Sequence, residues 1–186
     1  ERQGMMRELA VWALLKKEAS TVFVARVLGV EAERIADQIA RFSSWFNSPE
    51  PGKYQLYHER LKVYLLQKLS EQELYELQEK LITFLEQAMA EQKADEVELY
   101  ALEHLHIHLA VASQLGRHYD RLHKYVNRES LWRRQIQLSK GYEWSQKAVQ
   151  QGIKEGARRQ HELNTIRSTV NSVKLMTQEQ NSAEDI

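Results

Sequence analysis

The feature that most constrains this chain is where its breakers lie. It has only two prolines, and both fall within one hexapeptide, Asn47-Ser48-Pro49-Glu50-Pro51-Gly52. Proline removes a backbone donor and clashes with the preceding helical turn, so the other 180 residues are free of the strongest helix stop. Seven glycines are the only other punctuation, and Glu, Gln, Leu, Ala, Lys and Arg fill the segments between them. Such a chain is expected to be helical almost throughout, with one real loop.

Apolar spacing divides the first third into short helices. Glu8–Lys17 places Leu9, Trp12 and Leu15 on one side. Ser20 or Thr21 can cap a second helix carrying Val24, Val27 and Leu28, which Gly29 closes in a left-handed C-terminal turn. A third stripe runs through Ile35, Ile39, Phe42 and Phe46. The loop 47–52 follows, then the β-prone run Tyr54-Gln55-Leu56-Tyr57, and a helix Glu59–Leu69 with Leu61, Leu65 and Leu69. Three helices, a turn and a short strand spell a winged helix-turn-helix, placed at 1–69.

From residue 70 to 186 only helices are expected. Ser70-Glu71-Gln72-Glu73 has the capping-box pattern ahead of Leu74, Leu77, Leu81 and Phe84 or Leu85. Asp95 can cap a helix burying Leu102, Leu105, Leu109 and Ala112, ended by Gly116. A short helix is expected at Tyr119–Val126, and Asn127 can cap another through Leu131, Trp132, Ile136 and Leu138, interrupted by Gly141. Tyr142–Met176 reads as two helices broken near Gly152 or Gly156. This organises the second part as a bundle at 70–130, further helices at 131–178 and a frayed polar tail at 179–186. Successive short helices suit a bundle or a superhelical array, with no repeat period that names a repeat type.

Composition narrows function mainly by exclusion. There are no cysteines, hence no disulfides, thiolate metal sites or cysteine nucleophiles. No apolar run reaches the roughly 20 residues that span a bilayer, and a cytoplasmic setting is expected. The amino end opens on Glu1 rather than Met and is read as a fragment of something longer. Neither a Walker-type nor a dinucleotide-type glycine loop is present, so the chain is not expected to be an enzyme by itself. His104 and His108 share a helix face at zinc-compatible spacing, but His106 lies opposite and no Glu occupies the place a metalloprotease helix needs; no metal is assigned. Charge is balanced overall yet segregated. Ten acidic residues lie between Glu71 and Glu103 against Lys80 and Lys93, while Leu131–Leu175 holds nine Lys or Arg against Glu143, Glu155 and Glu162. Either both are solvated faces, or the basic segment docks an acidic partner, of which the acidic segment of the same protein is one candidate.

A winged helix suggests DNA binding. The third helix, however, carries Glu31, Glu33 and Asp37 against Arg34 and Arg41, and the wing offers only Lys53. A net-negative reading helix repels phosphate, which points to protein–protein contact instead. The competing reading is a winged-helix transcription regulator with a helical effector or dimerisation domain.

Tyr54–Leu66 is the segment with most functional content. A short strand leads into His58 at a helix start, where backbone amides and the dipole favour anions. It resembles the end of the winged-helix domain of STAND signalling ATPases, the NACHT and NB-ARC class. Tyr57-His58-Glu59 stands where plant resistance proteins carry Met-His-Asp; the histidine matches, Glu59 keeps the acid, and Tyr57 departs from Met or Leu. Downstream, Tyr100-Ala101-Leu102-Glu103-His104-Leu105-His106-Ile107-His108-Leu109 is similar to the Tyr-Ala-Leu-x-His-Leu-x-x-His-Leu stretch that follows this winged helix in bacterial NACHT-type proteins. The two motifs cover Glu8–Val126. The resemblance implies a regulatory relay segment without catalytic residues, flanked by an upstream nucleotide-binding domain and downstream sensor repeats, often TPR or WD. It implies that ADP or ATP is bound by the full-length protein, with His58 on the ADP phosphate in the resting state.

Overall fold

The structure, a computed structural model, describes residues 2–184 and the side chains of 4–183. Among the described residues it is mainly helical, with ten α-helices, one 3-10 turn and a small three-stranded antiparallel sheet. The chain forms two compact units that meet between Phe84 and Leu85, whereas the sequence reading divides it at 69/70.

In the first unit, α1 (Arg2–Leu14) buries Leu9, Val11 and Trp12. It ends at Leu14 rather than Lys17, and Leu15 stays buried in the turn that follows. Ala19–Ser20 then forms a strand, β1, that alternation over so few residues does not announce. Ser20 also caps α2 (Thr21–Leu28), its hydroxyl accepting from the Phe23 N–H at 3.1 Å. Gly29 closes that helix in the left-handed region at φ 71°, donating to Ala25 O. This is the one position in the unit where a helix end requires glycine.

The third helix, α3 (Ala32–Arg41), buries Ile35 and Ile39 but stops short of the expected stripe. Phe42 is its C-cap, Ser43–Trp45 is a 3-10 turn, and Phe46 belongs to a strand, β2 (Phe46–Asn47). The helical spacing of Phe46 is therefore coincidental. Its ring packs edge-on against Trp12 at 5.3 Å, and its backbone pairs opposite Leu56. The central strand, β3 (Lys53–Leu56), takes β1 on one edge and β2 on the other. Between β2 and β3, Lys53 N–H donates to Glu50 O across a turn with Pro51 and then Gly52 (φ 77°) at its centre, the residue order a positive third angle demands.

From β3 the chain enters α4 (Glu59–Gln67), which packs on α1 through the buried Leu65. The next helix, α5 (Glu71–Glu91), opens with the expected capping box. Ser70 Oγ accepts from Glu73 N–H at 3.2 Å, and Glu73 Oε2 accepts from Ser70 N–H at 2.9 Å. Its Leu77 and Leu81 complete the first core together with Phe23, whose ring meets Phe84 at 5.9 Å.

The second unit is built on α6 (Glu96–Gln114), capped by Asp95 Oδ1, which accepts from Val97 N–H (3.1 Å) and Glu98 N–H (2.9 Å). Its Tyr100, Leu102, Leu105 and Leu109 are buried where α7 (Tyr119–Val126), α8 (Glu129–Ser139) and α9 (Glu143–Arg158) pack on it. Three expectations change here. Asn127 ends α7 rather than capping α8; its amide donates to His123 O (2.9 Å) and Ser168 Oγ (3.0 Å). Lys140, at φ 58°, ends α8 in place of Gly141. Finally, α9 runs unbroken through Gly152 and Gly156, and the break comes at Gln160 (φ 55°), before α10 (Glu162–Glu184).

Both α9 glycines face α10 at a close crossing. A Cβ on Gly152 would lie 2.7 Å from Val126 Cγ2 and 2.9 Å from Ser168 Oγ; one on Gly156 would lie 2.6 Å from Thr165 Oγ1. They make room rather than break the helix. Residues 179–184, expected to fray, are helical, and 185–186 lie outside the described residues.

Candidate functional site

His58 joins β3 to α4 as the helix N-cap, with extended backbone at φ −134° and ψ 134°. Its carbonyl accepts from Leu61 N–H at 3.0 Å, and its Nδ1 accepts from Arg60 N–H at 3.1 Å. The ring thus does what a capping Asn or Asp does, and supplies one of the acceptors a helix start needs. In the neutral ring, an Nδ1 that accepts leaves the proton on Nε2. His58 is exposed, so that N–H is available to a ligand.

The approach to the site is held from both sides. Tyr57 N–H donates to Trp45 O at 2.7 Å, while the Tyr57 side chain is 69% exposed. The first turn of α4 carries Glu59, Arg60 and Lys62, and Lys62 bridges to Glu59 at 3.1 Å. Lys16, in the turn after α1, sits close enough that burial and the Lys62 ammonium lower its pKa, with Glu59 opposing. The start of α4 is therefore a locally cationic surface at a helix amino end, with a single acid in its first turn. Sequence reasoning singled out His58 alone. Lys16 was missed because the α1–α4 packing that brings it there has no local signal.

Two of the three histidines of α6 belong to an aromatic cluster. Tyr100, His104 and His108 stack along one face, with ring centroids 4.8 Å and 6.0 Å from Tyr100, and Tyr100 OH is 3.0 Å from His108 Nε2. His106 is buried on another face. Burial lowers its pKa to about 4, helped by His104 and Lys147, so it is held neutral. Among the described residues no group of three or more His, Cys, Asp or Glu is placed to hold a metal ion. No described helix is long and apolar enough to cross a membrane.

Several acidic and basic side chains of the second unit meet each other. Arg134 of α8 holds Glu98 of α6, Arg121 pairs with Glu86, and Lys174 donates to Glu129 at 2.9 Å. Of these, Arg134–Glu98 joins the acidic stretch 71–103 to the basic stretch 131–175. Glu155 is buried on α9 and receives Ser113 Oγ, Gln114 Nε2 and Arg158 Nε at 3.0–3.2 Å.

No protein-family profile, curated protein or solved structure matches this chain.

Proposed function

We propose that this chain is the winged-helix and adjoining helical segment of a STAND-class signalling ATPase of the NACHT and NB-ARC type, acting in the cytoplasm. In this reading it is not itself an enzyme. It stabilises the ADP-bound resting state and couples the upstream nucleotide-binding domain to downstream sensor repeats. The observation that carries it is the geometry of His58. The amides of Arg60, Leu61 and Lys62 are spent on His58 itself, Arg60 on its Nδ1 and the other two on its carbonyl, so the exposed ring has Nε2–H left to offer beside the charged side chains of Arg60 and Lys62. That donor set fits a phosphate oxygen. Bound nucleotide would supply the charge that differs between resting and active states, and His58 would read it through one hydrogen bond.

The test is nucleotide retention in the full-length protein. His58→Ala is expected to speed release of a fluorescent ADP analogue and to raise signalling without stimulus. Unchanged release together with unchanged resting output would sink the reading. The transcription-regulator alternative needs α3 on DNA, and α3 carries Glu33 and Asp37 on its exposed side, with Arg34 bound to Glu8 at 2.5 Å. Tight, steeply salt-dependent binding to random duplex DNA would nevertheless replace the proposal.

A further inference from the structure

Helix α10 packs with the wrong face inward. The side that meets the protein is polar and small: Thr165, Ser168, Asn171 and Ser172 are buried or half-buried, and Leu175 is the one large apolar side chain fully buried there. Ser168 and Asn171 bond to Asn127 (Asn171 Nδ2 donates to Oδ1 at 2.8 Å), and Thr165 sits against Gly156. The opposite side carries Leu163, Ile166, Val170, Val173 and Met176, each between 52% and 76% exposed. Their successive spacings of three, four, three and three place them on one stripe of the helix. An amphipathic helix ordinarily buries such a stripe, and isolated exposed apolar residues are common, but five in register are not.

Charge says what fits this stripe. Between Leu163 and Gln178 the only charged residues are Arg167 and Lys174. They are seven residues apart, hence on the same edge of the stripe, and both are exposed; Lys174 is already bridged to Glu129 at 2.9 Å, so Arg167 carries the charge argument. Two copies of this face laid antiparallel would set these cations against each other. The stripe also lacks aromatic residues of the kind that anchor a helix in a lipid interface.

We propose that the outer face of α10 docks an amphipathic α-helix of a partner protein, one with apolar residues at alternating spacings of three and four and acidic residues along the edge that meets Arg167. The mode is helix against helix, with the apolar seam giving affinity and the flanking charge giving orientation. This docking role is independent of the ATPase reading, since it uses neither His58 nor nucleotide.

The experiment uses the 186-residue chain and a fluorescein-labelled helical peptide with Leu along its seam and Glu at the flanking positions, kept below its own self-association concentration. Anisotropy should show saturable binding that weakens with salt. A sister peptide with Lys flanks should bind at least about tenfold more weakly. Val170→Glu and Val173→Glu, both at exposed positions and so compatible with an unchanged circular-dichroism spectrum, should abolish binding. Arg167→Glu should reverse the preference between the two peptides. Equal binding of both peptides, or binding that survives Val170→Glu, overturns the proposal. So does dimerisation of the chain by sedimentation that Val170→Glu abolishes, which assigns the stripe to a second copy. Binding to anionic lipid vesicles lost in the same variant assigns it to a membrane surface and equally overturns it.

Discussion

Arg134 grips Glu98 with two nitrogens of its guanidinium: Nε donates to Oε1 at 2.7 Å and Nη2 to Oε2 at 2.9 Å. Glu98 is fully buried and also accepts from Ala94 N–H at 2.6 Å, so the pair ties α8 to the start of α6. A bidentate pair of this kind depends on the planar fork, which lysine lacks. Arg134→Met would leave a buried carboxylate with one partner fewer and is expected to lower the unfolding free energy. Urea denaturation measures it. The double change Arg134→Met with Glu98→Leu should recover most of the loss, because it removes the stranded charge as well. A double variant no more stable than Arg134→Met would show that packing, not charge, carries the effect.

Acid should weaken the second unit in two separable windows. His106 is held neutral at about 4 against an ordinary value of 6.5, chiefly by burial. As pH falls below about 6.5 the unfolded chain takes up a proton that the folded chain refuses, so stability drops until about pH 4 and the loss then levels off. The difference corresponds to about 3 kcal/mol. His106→Leu should flatten this part of the stability profile. Glu98 acts lower down: its hydrogen bonds to Arg134 hold its pKa below the ordinary carboxylate value, so its contribution is complete above about 4.5 and is lost as pH falls through the folded value. A His106→Leu variant with an unchanged slope between about pH 6.5 and 4 would contradict the assignment.

Alanine at Gly152 and Gly156 should destabilise, against the helix scale. Inside a helix Gly→Ala ordinarily gains about 1 kcal/mol. Here the new methyl would meet Val126 Cγ2 at 2.7 Å or, at Gly156, Thr165 Oγ1 at 2.6 Å and the Thr165 backbone N at 3.2 Å. Overpacking of this kind costs about 1–3 kcal/mol. Gly156→Ala should be the worse of the two, because backbone cannot step aside as a side chain can. A rise in melting temperature for either variant would mean that α9 and α10 separate easily.

Those glycines also show what could and could not be read in advance. The polar caps at Ser20, Ser70 with Glu73, and Asp95 were legible because a side-chain oxygen close to its own helix amides is a local matter. Gly29 was legible for the same reason. Gly152 and Gly156 were misread, since a glycine that frees backbone and a glycine that makes room for a neighbouring helix look alike in sequence. The real breaks use Gln92, Ala94, His118, Lys140 and Gln160 in the left-handed region, residues with no stop signal of their own. Phe46 was drawn into a helix by its spacing, and only the contact with Trp12 and the pairing with β3 make it a strand residue. At the candidate site, His58 at the head of a helix was visible in the chain; its tautomer and the approach of Lys16 depend on packing and were not. The inverted face of α10 was invisible too, because a stripe of Leu, Ile and Val announces amphipathicity without saying which side the rest of the protein takes.

His58 offers a substitution that separates its two roles. As a cap it needs only an acceptor beside Arg60 N–H, and asparagine supplies one from its side-chain carbonyl. As a ligand donor it needs Nε2–H, which the shorter asparagine does not place at the same reach. His58→Asn should therefore keep the melting temperature of the native chain, whereas His58→Ala should lower stability by up to about 1 kcal/mol through the lost cap. In the full-length protein both variants should release ADP faster to a similar extent. If His58→Asn retains nucleotide as the native protein does and only His58→Ala fails, the histidine is a helix cap and nothing more, and the phosphate contact falls. If both release it alike while only one is destabilised, loss of nucleotide follows the missing Nε2 donor rather than the state of α4.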